Sequence, residues 1–195
     1  TRKIVVIGVF SAIAAILMVL EFPVPFAPSF YGLDFSELPA LIGAFAYGPV
    51  AGVMIEFCKI LIKLVLKPSS TAFVGELANF SISCMLVLPA SVIYLFKKSR
   101  KQAILGTVVG TLIMTAFGSC FSAIYLLPKF SELYGIPLDA IIGMGTAINP
   151  AIHSISGLVL MCVVPLNLLK GGLVSLITIL VYKKLSPILK AAHKQ

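Results

Sequence analysis

Long apolar runs recur along the whole sequence, and they restrict the possible folds more than any other feature. An α-helix needs about 20 mainly apolar residues to cross a hydrocarbon layer about 30 Å thick. Hydrophobic residues make up 59% of the 195 residues, which is more than a soluble domain of this size can bury. Because lipid offers the backbone no hydrogen bonds, we expect an all-α polytopic membrane protein.

Six transmembrane helices are predicted, in one domain that covers residues 1–195. The spans are expected at residues 4–22, 37–47, 50–66, 72–96, 103–127 and 165–182. The first span resembles a signal peptide, but no small-residue cleavage site is evident and further spans follow. The apolar stretch 140–164 is interrupted by glycines and by Asn149-Pro150, so an outer loop or half-inserted segment is expected. Pro165 is expected at the first helical position of span six, where its missing N–H is not needed.

Basic residues decide between six and seven spans. With six spans, both termini and the basic clusters lie on the cytoplasmic side, as the positive-inside rule requires. A seventh span would move the cluster at 183–194 to the outside. The basic residues assigned to the cytoplasmic side are Arg2, Lys3, Lys97, Lys98, Arg100, Lys101, Lys183, Lys184, Lys190 and Lys194. The net charge of +8 then favours anionic lipid head groups, and nucleic acid is not implied.

The sequence contains no motif of an energy-converting or catalytic site. No G-x-x-x-x-G-K-[ST] stretch is present, so the chain has no phosphate cradle for ATP hydrolysis. His153 and His193 do not form a familiar metal-site spacing with the scattered cysteines, and no catalytic set is recognisable. We therefore expect no metal, no cofactor and no enzymatic activity of its own.

Several charged and amide side chains fall where lipid would exclude them, which indicates a polar interior. Glu56, Lys59 and Lys63 share one helix face, so Glu56 can pair with Lys59. Two further pairs are expected in the opening turns of spans four and six, close to Asp34 and Glu37 in the loop between spans one and two. Those two pairs are Glu76 with Asn79 and Asn167 with Lys170. Each group could be a helix cap or an interhelical hydrogen bond, but together they favour an outward-facing ligand pocket.

Small residues in span one allow another helix to approach closely. Gly8 with Ala12 and Ser11 with Ala15 form small-xxx-small pairs. Internal packing and the docking of a partner protein both account for this pattern.

Three motifs carry a resemblance to a known family. "LDFSELPALIGAFAYGPVAG", "GELANF" and "PLNLLKG", in this order, resemble the substrate-binding S-component of an energy-coupling factor (ECF) vitamin transporter, specifically the riboflavin-binding type. The resemblance implies a bacterial plasma-membrane protein that captures riboflavin outside the cell. It also implies a separate energy-coupling module as partner, made of one transmembrane coupling protein and two ATPases.

The resemblance extends to individual residues. Span one is expected to dock on the coupling protein, through Gly8, Ser11, Ala12 and Ala15. The ligand-binding residues are expected to be Leu33, Asp34, Phe35, Glu37, Glu76, Asn79, Asn149, Asn167 and Lys170. Asp34 and Glu37 could begin span two next to the positive helix terminus, or hold the loop over the ligand. The alternatives left open are an S-component for FMN or another vitamin such as thiamine, and a membrane-embedded enzyme.

Overall fold

The protein is a helical bundle with one small β-ribbon, seen in a computed structural model that describes residues 2–192. Lys194 and His193 lie outside the described residues. The helices are α1 (Arg2–Val19), α2 (Glu37–Tyr47), α3 (Pro49–Leu66), α4 (Val74–Phe96), α5 (Arg100–Phe121), α6 (Leu127–Tyr134), α7 (Leu138–Ile148), α8 (Ile155–Leu158) and α9 (Val164–Ala192). The strands β1 (Phe22–Pro23) and β2 (Gly32–Leu33) pair antiparallel within the loop at residues 20–36, which we call the first loop.

Two helices are longer than the sequence suggests, because π-helical turns join separate segments. Ser122–Leu126 joins α5 to α6, and Val159–Val163 joins α8 to α9. Each π turn is followed two residues later by a proline, Pro128 or Pro165. A proline inside a helix lacks its N–H and its ring collides with the carbonyl of the preceding turn, and the wider π turn relieves that collision.

Within the described residues, three helical stretches are long and apolar enough to cross a membrane. They are Val74–Phe96, Arg100–Tyr134 and Ile155–Val181. Helices α1, α2 and α7 are apolar but shorter. Helix α3 is 18 residues long and apolar, but it differs from these stretches in carrying three charged residues, Glu56, Lys59 and Lys63.

The helix bounds differ from the prediction at several places. Helix α1 ends at Val19, because Phe22 belongs to β1. Helix α4 begins at Val74, since Ala72 and Phe73 have positive φ angles of 46° and 67° that end the preceding turn. The expected loop at 140–164 contains most of α7, all of α8 and the π turn Val159–Val163. The prediction for Pro165 was wrong: it lies inside a continuous helix that begins at Ile155, so Asn167 is about three turns and Lys170 about four turns into it.

Contacts between distant segments gather the connections at one end of the bundle. Lys67, after α3, lies 3.3 Å from Glu21, after α1. Tyr134, at the end of α6, donates a hydrogen bond to the carbonyl oxygen of Ser70. The ring of Phe30 in the first loop packs edge-on against Phe130 of α6. The first loop, the α3–α4 connection and α6 therefore meet at the same end.

The helices that support this end pack closely. Helices α4 and α5 approach so near that a Cβ atom at Gly106 would lie 2.5 Å from the carbonyl oxygen of Ala90, and one at Gly110 2.6 Å from that of Leu86. Helices α2 and α3 are joined by Gly48 alone, whose φ of 90° suits glycine. The chain thus folds back at Gly48 and returns Glu56, Lys59 and Lys63 toward the first loop.

Candidate functional site

A cavity of about 370 Å³ opens at the end of the bundle where the connections meet. This volume lies within the ordinary range of small-molecule sites. Its walls come from the first loop, α3, the α3–α4 connection, α4, the α5 π turn, α6 and α9. Five residues predicted for the ligand site line it: Asp34, Glu76, Asn79, Asn167 and Lys170. The cavity therefore combines polar groups from segments far apart in the sequence.

Lys170 of α9 links two acids at the end of the first loop. Its Nζ lies 3.0 Å from Asp34 Oδ2 and 2.7 Å from Glu37 Oε1. All three side chains are largely buried, and the Glu37 side chain is only 1% exposed. Buried opposite charges attract strongly because little water screens them, so Lys170 ties the first loop to α9.

Asp34 also shapes the start of α2. Its Oδ1 accepts a hydrogen bond from the backbone N–H of Ser36, at 2.8 Å. Burial alone would raise the pKa of Asp34, but Lys170, Lys59 and the Ser36 hydrogen bonds outweigh it and hold the pKa below its usual value. The carboxylate is therefore ionised at neutral pH and available to Lys170. The helix begins one residue after Ser36, so the acid and the helix terminus are fixed together.

Glu76 is held on the other side of the cavity by α3 and the α3–α4 connection. Its Oε1 pairs with Lys63 Nζ, and its Oε2 accepts hydrogen bonds from Ser69 Oγ at 2.8 Å and Thr71 Oγ1 at 3.1 Å. The same hydroxyls also accept hydrogen bonds from the backbone at the start of α4. The N–H of Phe73 donates to Ser69 Oγ, and the N–H of Gly75 donates to Thr71 Oγ1. The hydroxyls thus satisfy orphan donors of the helix and fix the Glu76 carboxylate in the cavity wall.

Two amides and a hydroxyl complete the polar lining. Ser83 donates a hydrogen bond to Glu37 Oε1 at 2.7 Å, while Asn79 lies one turn earlier on α4. The side-chain nitrogen of Asn167 is buried without a hydrogen-bond partner. A Cβ atom at Gly118 would lie 2.7 Å from that nitrogen, so the glycine gives the amide its space. A buried unpaired donor is costly, which makes Asn167 available to a ligand acceptor.

Aromatic rings form the apolar part of the lining. Phe30 and Tyr31 of the first loop and Phe130 and Tyr134 of α6 all line the cavity. Burial raises the pKa of Tyr31 well above its ordinary value, which keeps its hydroxyl neutral. Flat rings beside a few fixed polar groups suit a planar ligand with apolar faces.

Four residues predicted for the ligand site lie outside this lining. Glu37 is buried behind the cavity wall, where it contacts Lys170 and Ser83. Leu33 belongs to β2, and Phe35 packs on the core next to α2. Asn149 is exposed beside Pro25 and Phe26, where a smaller pocket lies. These four residues do not border the cavity, so their positions do not support ligand contact.

The four small residues of α1 divide between two faces. Ser11 and Ala15 are fully buried within the chain, and Ser11 donates its hydroxyl to the carbonyl oxygen of Ile7. Gly8 and Ala12 are exposed, and nothing lies within 4 Å of a Cβ atom at Gly8. Only Gly8 and Ala12 are therefore open to another helix.

Sequence reasoning missed several residues of the lining. The sequence placed Lys63 on the same face of α3 as Glu56 and Lys59. It could not show that Lys63 pairs with Glu76, because that contact depends on how α3 and α4 pack together. Ser122 was not singled out, because its position depends on a π turn that no periodicity indicates. The hydroxyls of Ser69 and Thr71 lie just before α4. Serine and threonine often precede the first turn of a helix, so this pattern could have identified them from the sequence.

Comparison with sequence families gives one match over nearly the whole chain. A sequence model described as "ECF transporter, substrate-specific component" matches residues 2–182. A protein named riboflavin transporter RibU from Staphylococcus aureus (strain TCH60) is 33% identical over 189 residues, which cover 97% of this chain and 93% of that protein. A protein named riboflavin transporter FmnP from Bacillus subtilis (strain 168) is 31% identical, covering 95% of this chain and 93% of that protein.

A solved structure agrees with these sequence matches. A chain from the study entitled "Structure and mechanism of the S component of a bacterial ECF transporter" superposes with a TM-score of 0.74 at 34% identity. The superposition covers 97% of this chain and 98% of that one. The likeness therefore extends over the bundle and the segments that form the cavity.

Proposed function

Because this chain belongs to the family of substrate-specific components of ECF transporters, we propose that it binds riboflavin in the cavity described above and presents it for ATP-driven uptake. The energy comes from a separate energy-coupling module, made of a transmembrane coupling protein and two ATPases. The chain itself acts as a binding subunit and not as an enzyme. The observation that carries the proposal is a cavity of suitable volume whose aromatic walls and unpaired amide fit a flavin.

The chemistry of the lining supports a flavin as ligand. The isoalloxazine ring has apolar faces, which suit the rings of Phe30, Tyr31 and Phe130. One edge of the ring presents a carbonyl–NH–carbonyl array. The Asn167 amide can donate and accept along that edge, while Lys170 can only donate. Glu76 and Asn79, on the α4 side of the cavity, are proposed to meet the ribityl hydroxyls.

The first loop is proposed to act as a lid over the bound ligand. It contributes Phe30, Tyr31 and Asp34 to the cavity, and Lys170 ties its end to α9. Opening the lid would separate Asp34 from Lys170 and admit riboflavin. Replacing Asp34 with Asn and Glu37 with Gln should therefore speed ligand release. An unchanged release rate in the double variant would leave only a helix-capping role for these acids.

We further propose six membrane spans within a single domain that covers residues 1–195, formed by α1, α2, α3, α4, α5 and α9. The cavity then opens to the outside of a bacterial plasma membrane and both termini lie in the cytoplasm. The distribution of basic residues supports this orientation, because Lys97, Lys98, Arg100 and Lys101 lie at the α4–α5 connection, opposite the cavity.

Riboflavin binding can be tested directly on the protein purified in detergent. A bound flavin absorbs visible light, which the side chains of the protein do not, so it is easily recognised. We expect the protein to quench the fluorescence of added riboflavin at one site per chain. Asn167→Ala and Lys170→Ala should each weaken binding by about tenfold or more, the effect of losing a buried hydrogen bond to a polar or charged group. A protein that neither carries flavin nor quenches its fluorescence would overturn the proposal.

A phosphorylated flavin is the second candidate, because two further lysines line the cavity. Lys63 is paired with Glu76, and the half-exposed Lys67 contacts Glu21 at the cavity mouth. A phosphate on the ribityl chain could displace Glu21 from Lys67. Lys67→Ala should then weaken FMN binding while leaving riboflavin binding unchanged, and equal effects on both ligands would exclude a phosphate contact there.

A further inference from the structure

A cluster of buried charges lies beneath the first loop, behind the cavity wall. It contains three acids, Asp34, Glu37 and Glu56, and two lysines, Lys59 and Lys170. The side chains of Glu56 and Lys59 are 0% exposed and do not belong to the cavity lining. Asp34 and Lys170 line the cavity and have a role in the ligand site. Glu56 and Lys59 on α3 do not line it and have no role in the site as described so far.

Lys59 reaches from α3 to the end of the first loop. Its Nζ donates a hydrogen bond to Ser36 Oγ at 3.0 Å, and this contact is buried. Ser36 is the residue before α2, and its backbone N–H donates to Asp34 Oδ1. The lysine therefore contacts the point about which the first loop would move relative to α2.

The charges of the cluster do not balance if every group is ionised. Three carboxylates face two ammonium groups, which leaves one negative charge in a buried environment, and such a charge is strongly unfavourable. Asp34 and Glu37 each receive a hydrogen bond, from Ser36 and Ser83 respectively. Glu56 Oε2 lies 2.5 Å from Lys59 Nζ, but neither Glu56 oxygen has a hydrogen-bond partner of ordinary geometry, whereas in Glu37 only Oε2 lacks one. Of the three carboxylates, that of Glu56 receives the fewest hydrogen bonds. A proton on Glu56 therefore removes the excess negative charge from the carboxylate that its surroundings stabilise least.

We propose that Glu56 and Lys59 are positioning residues for the ligand site. Lys59 fixes the base of the first loop through Ser36, and a proton on Glu56 balances the charge of the cluster. The groups that face Glu56 are Lys59 on its own helix, Glu37 on α2, Cys84 on α4 and Lys170 on α9. The inference rests on the proposed function, since its main readout is the release of riboflavin.

The first experiment measures the dissociation rate of riboflavin from the purified protein. Ser36→Ala removes the hydroxyl that accepts the Lys59 hydrogen bond and that also stabilises the Asp34 carboxylate, and we expect dissociation to become about tenfold faster. Lys59→Met should have at least that effect, and Lys59→Arg should restore part of the wild-type rate because it keeps the charge and the donors. Lys129→Met is the matched control, since Lys129 pairs with Glu132 at the same i,i+3 separation but on the surface.

The second experiment tests the proton. At alkaline pH, ionisation of Glu56 would leave the cluster with a net negative charge in a buried environment. We therefore expect riboflavin dissociation from the wild type to become faster as the pH rises. Glu56→Gln mimics the protonated acid, so it should bind riboflavin normally and lose this pH dependence, whereas Glu132→Gln should retain it. The infrared carbonyl band of a protonated carboxyl group should be present in the wild type and absent in Glu56→Gln.

The outcomes separate this inference from the proposed function. If the wild type does not bind riboflavin, the proposed function fails. If the wild type binds it but Ser36→Ala and Lys59→Met release it at the wild-type rate, the positioning role is overturned. An unchanged pH profile in Glu56→Gln, or an infrared band that persists in this variant, would show that Glu56 does not carry the proton. Because Lys59→Met can impair folding, the Ser36→Ala and Glu56→Gln results decide.

Discussion

Asn167 is the residue of the proposed ligand site whose surroundings best fit a role in binding. Its side-chain nitrogen is buried without a partner, and the missing side chain at Gly118 gives it room. An unpaired buried donor lowers stability in the empty protein and becomes favourable once a ligand acceptor reaches it. The amide is therefore better suited to binding than to holding the fold together.

Gly118→Ala is predicted to weaken riboflavin binding without unfolding the protein. The new methyl group would lie 2.7 Å from the Asn167 nitrogen, and the amide can move because it ends a flexible side chain. We expect about tenfold lower affinity, measured by fluorescence quenching, and little change in thermal stability. Gly143→Ala is the control, because a Cβ atom there has nothing within 4 Å. Normal affinity in Gly118→Ala would contradict the placement of Asn167 in the ligand site.

At the scale of elements, the cavity depends on helices that are interrupted or closely packed. The π turn after α5 places Ser122 in the cavity lining, and the π turn before α9 places Val163 there. Helices α4 and α5 meet at Gly106 and Gly110, which brings Glu76 and Asn79 to the same cavity as the π turn. The elements thus set the geometry that the individual residues use.

Gly106→Ala is predicted to destabilise the bundle. Its methyl group would lie 2.5 Å from the backbone oxygen of Ala90, and backbone cannot move aside as a side chain can. Overpacking of this kind costs about 1–3 kcal/mol, which a thermal unfolding measurement in detergent detects. In Gly172→Ala the methyl group meets open space on α9, so this control should be neutral or slightly more stable. Equal stability of both variants would contradict the close α4–α5 contact.

At the scale of the whole molecule, binding and energy coupling are proposed to use different surfaces. The ligand site lies at one end of the bundle, while Gly8 and Ala12 lie on the exposed face of α1. The other two small residues of α1, Ser11 and Ala15, are buried inside the chain, which also buries the core formed by Ala14, Ala40 and Ile55. A change on the exposed face of α1 should therefore affect assembly and leave the cavity unchanged.

Gly8→Leu is predicted to lower riboflavin uptake by cells while riboflavin binding by the purified protein stays normal. A leucine at this position fits without a clash inside the chain, but it prevents a partner helix from approaching closely. Gly172→Leu introduces the same bulk on an exposed part of α9 and serves as the control. Normal uptake by cells that carry Gly8→Leu would exclude this face as the docking surface for the coupling protein.

Much of the architecture could be read from the sequence, because it depends on local composition. Apolar runs indicate membrane helices, and the predicted range 37–47 coincides with α2. The i,i+3 spacing predicted the Glu56–Lys59 pair, which the structure contains. The motif resemblance was confirmed by the family match over residues 2–182. Helix ends were less accurate, since π turns and the positive φ angles at Ala72 and Phe73 leave no periodic signal.

The sequence by itself determined that the chain is a helical membrane protein of this family, because hydropathy and motifs are properties of neighbouring residues. Only the tertiary structure decided which polar groups meet. Lys170 pairs with Asp34 across 136 residues, Ser83 with Glu37 across 46 and Lys59 with Ser36 across 23. Such contacts depend on how the helices pack, and in a low-dielectric interior those packed positions decide which charges stabilise one another.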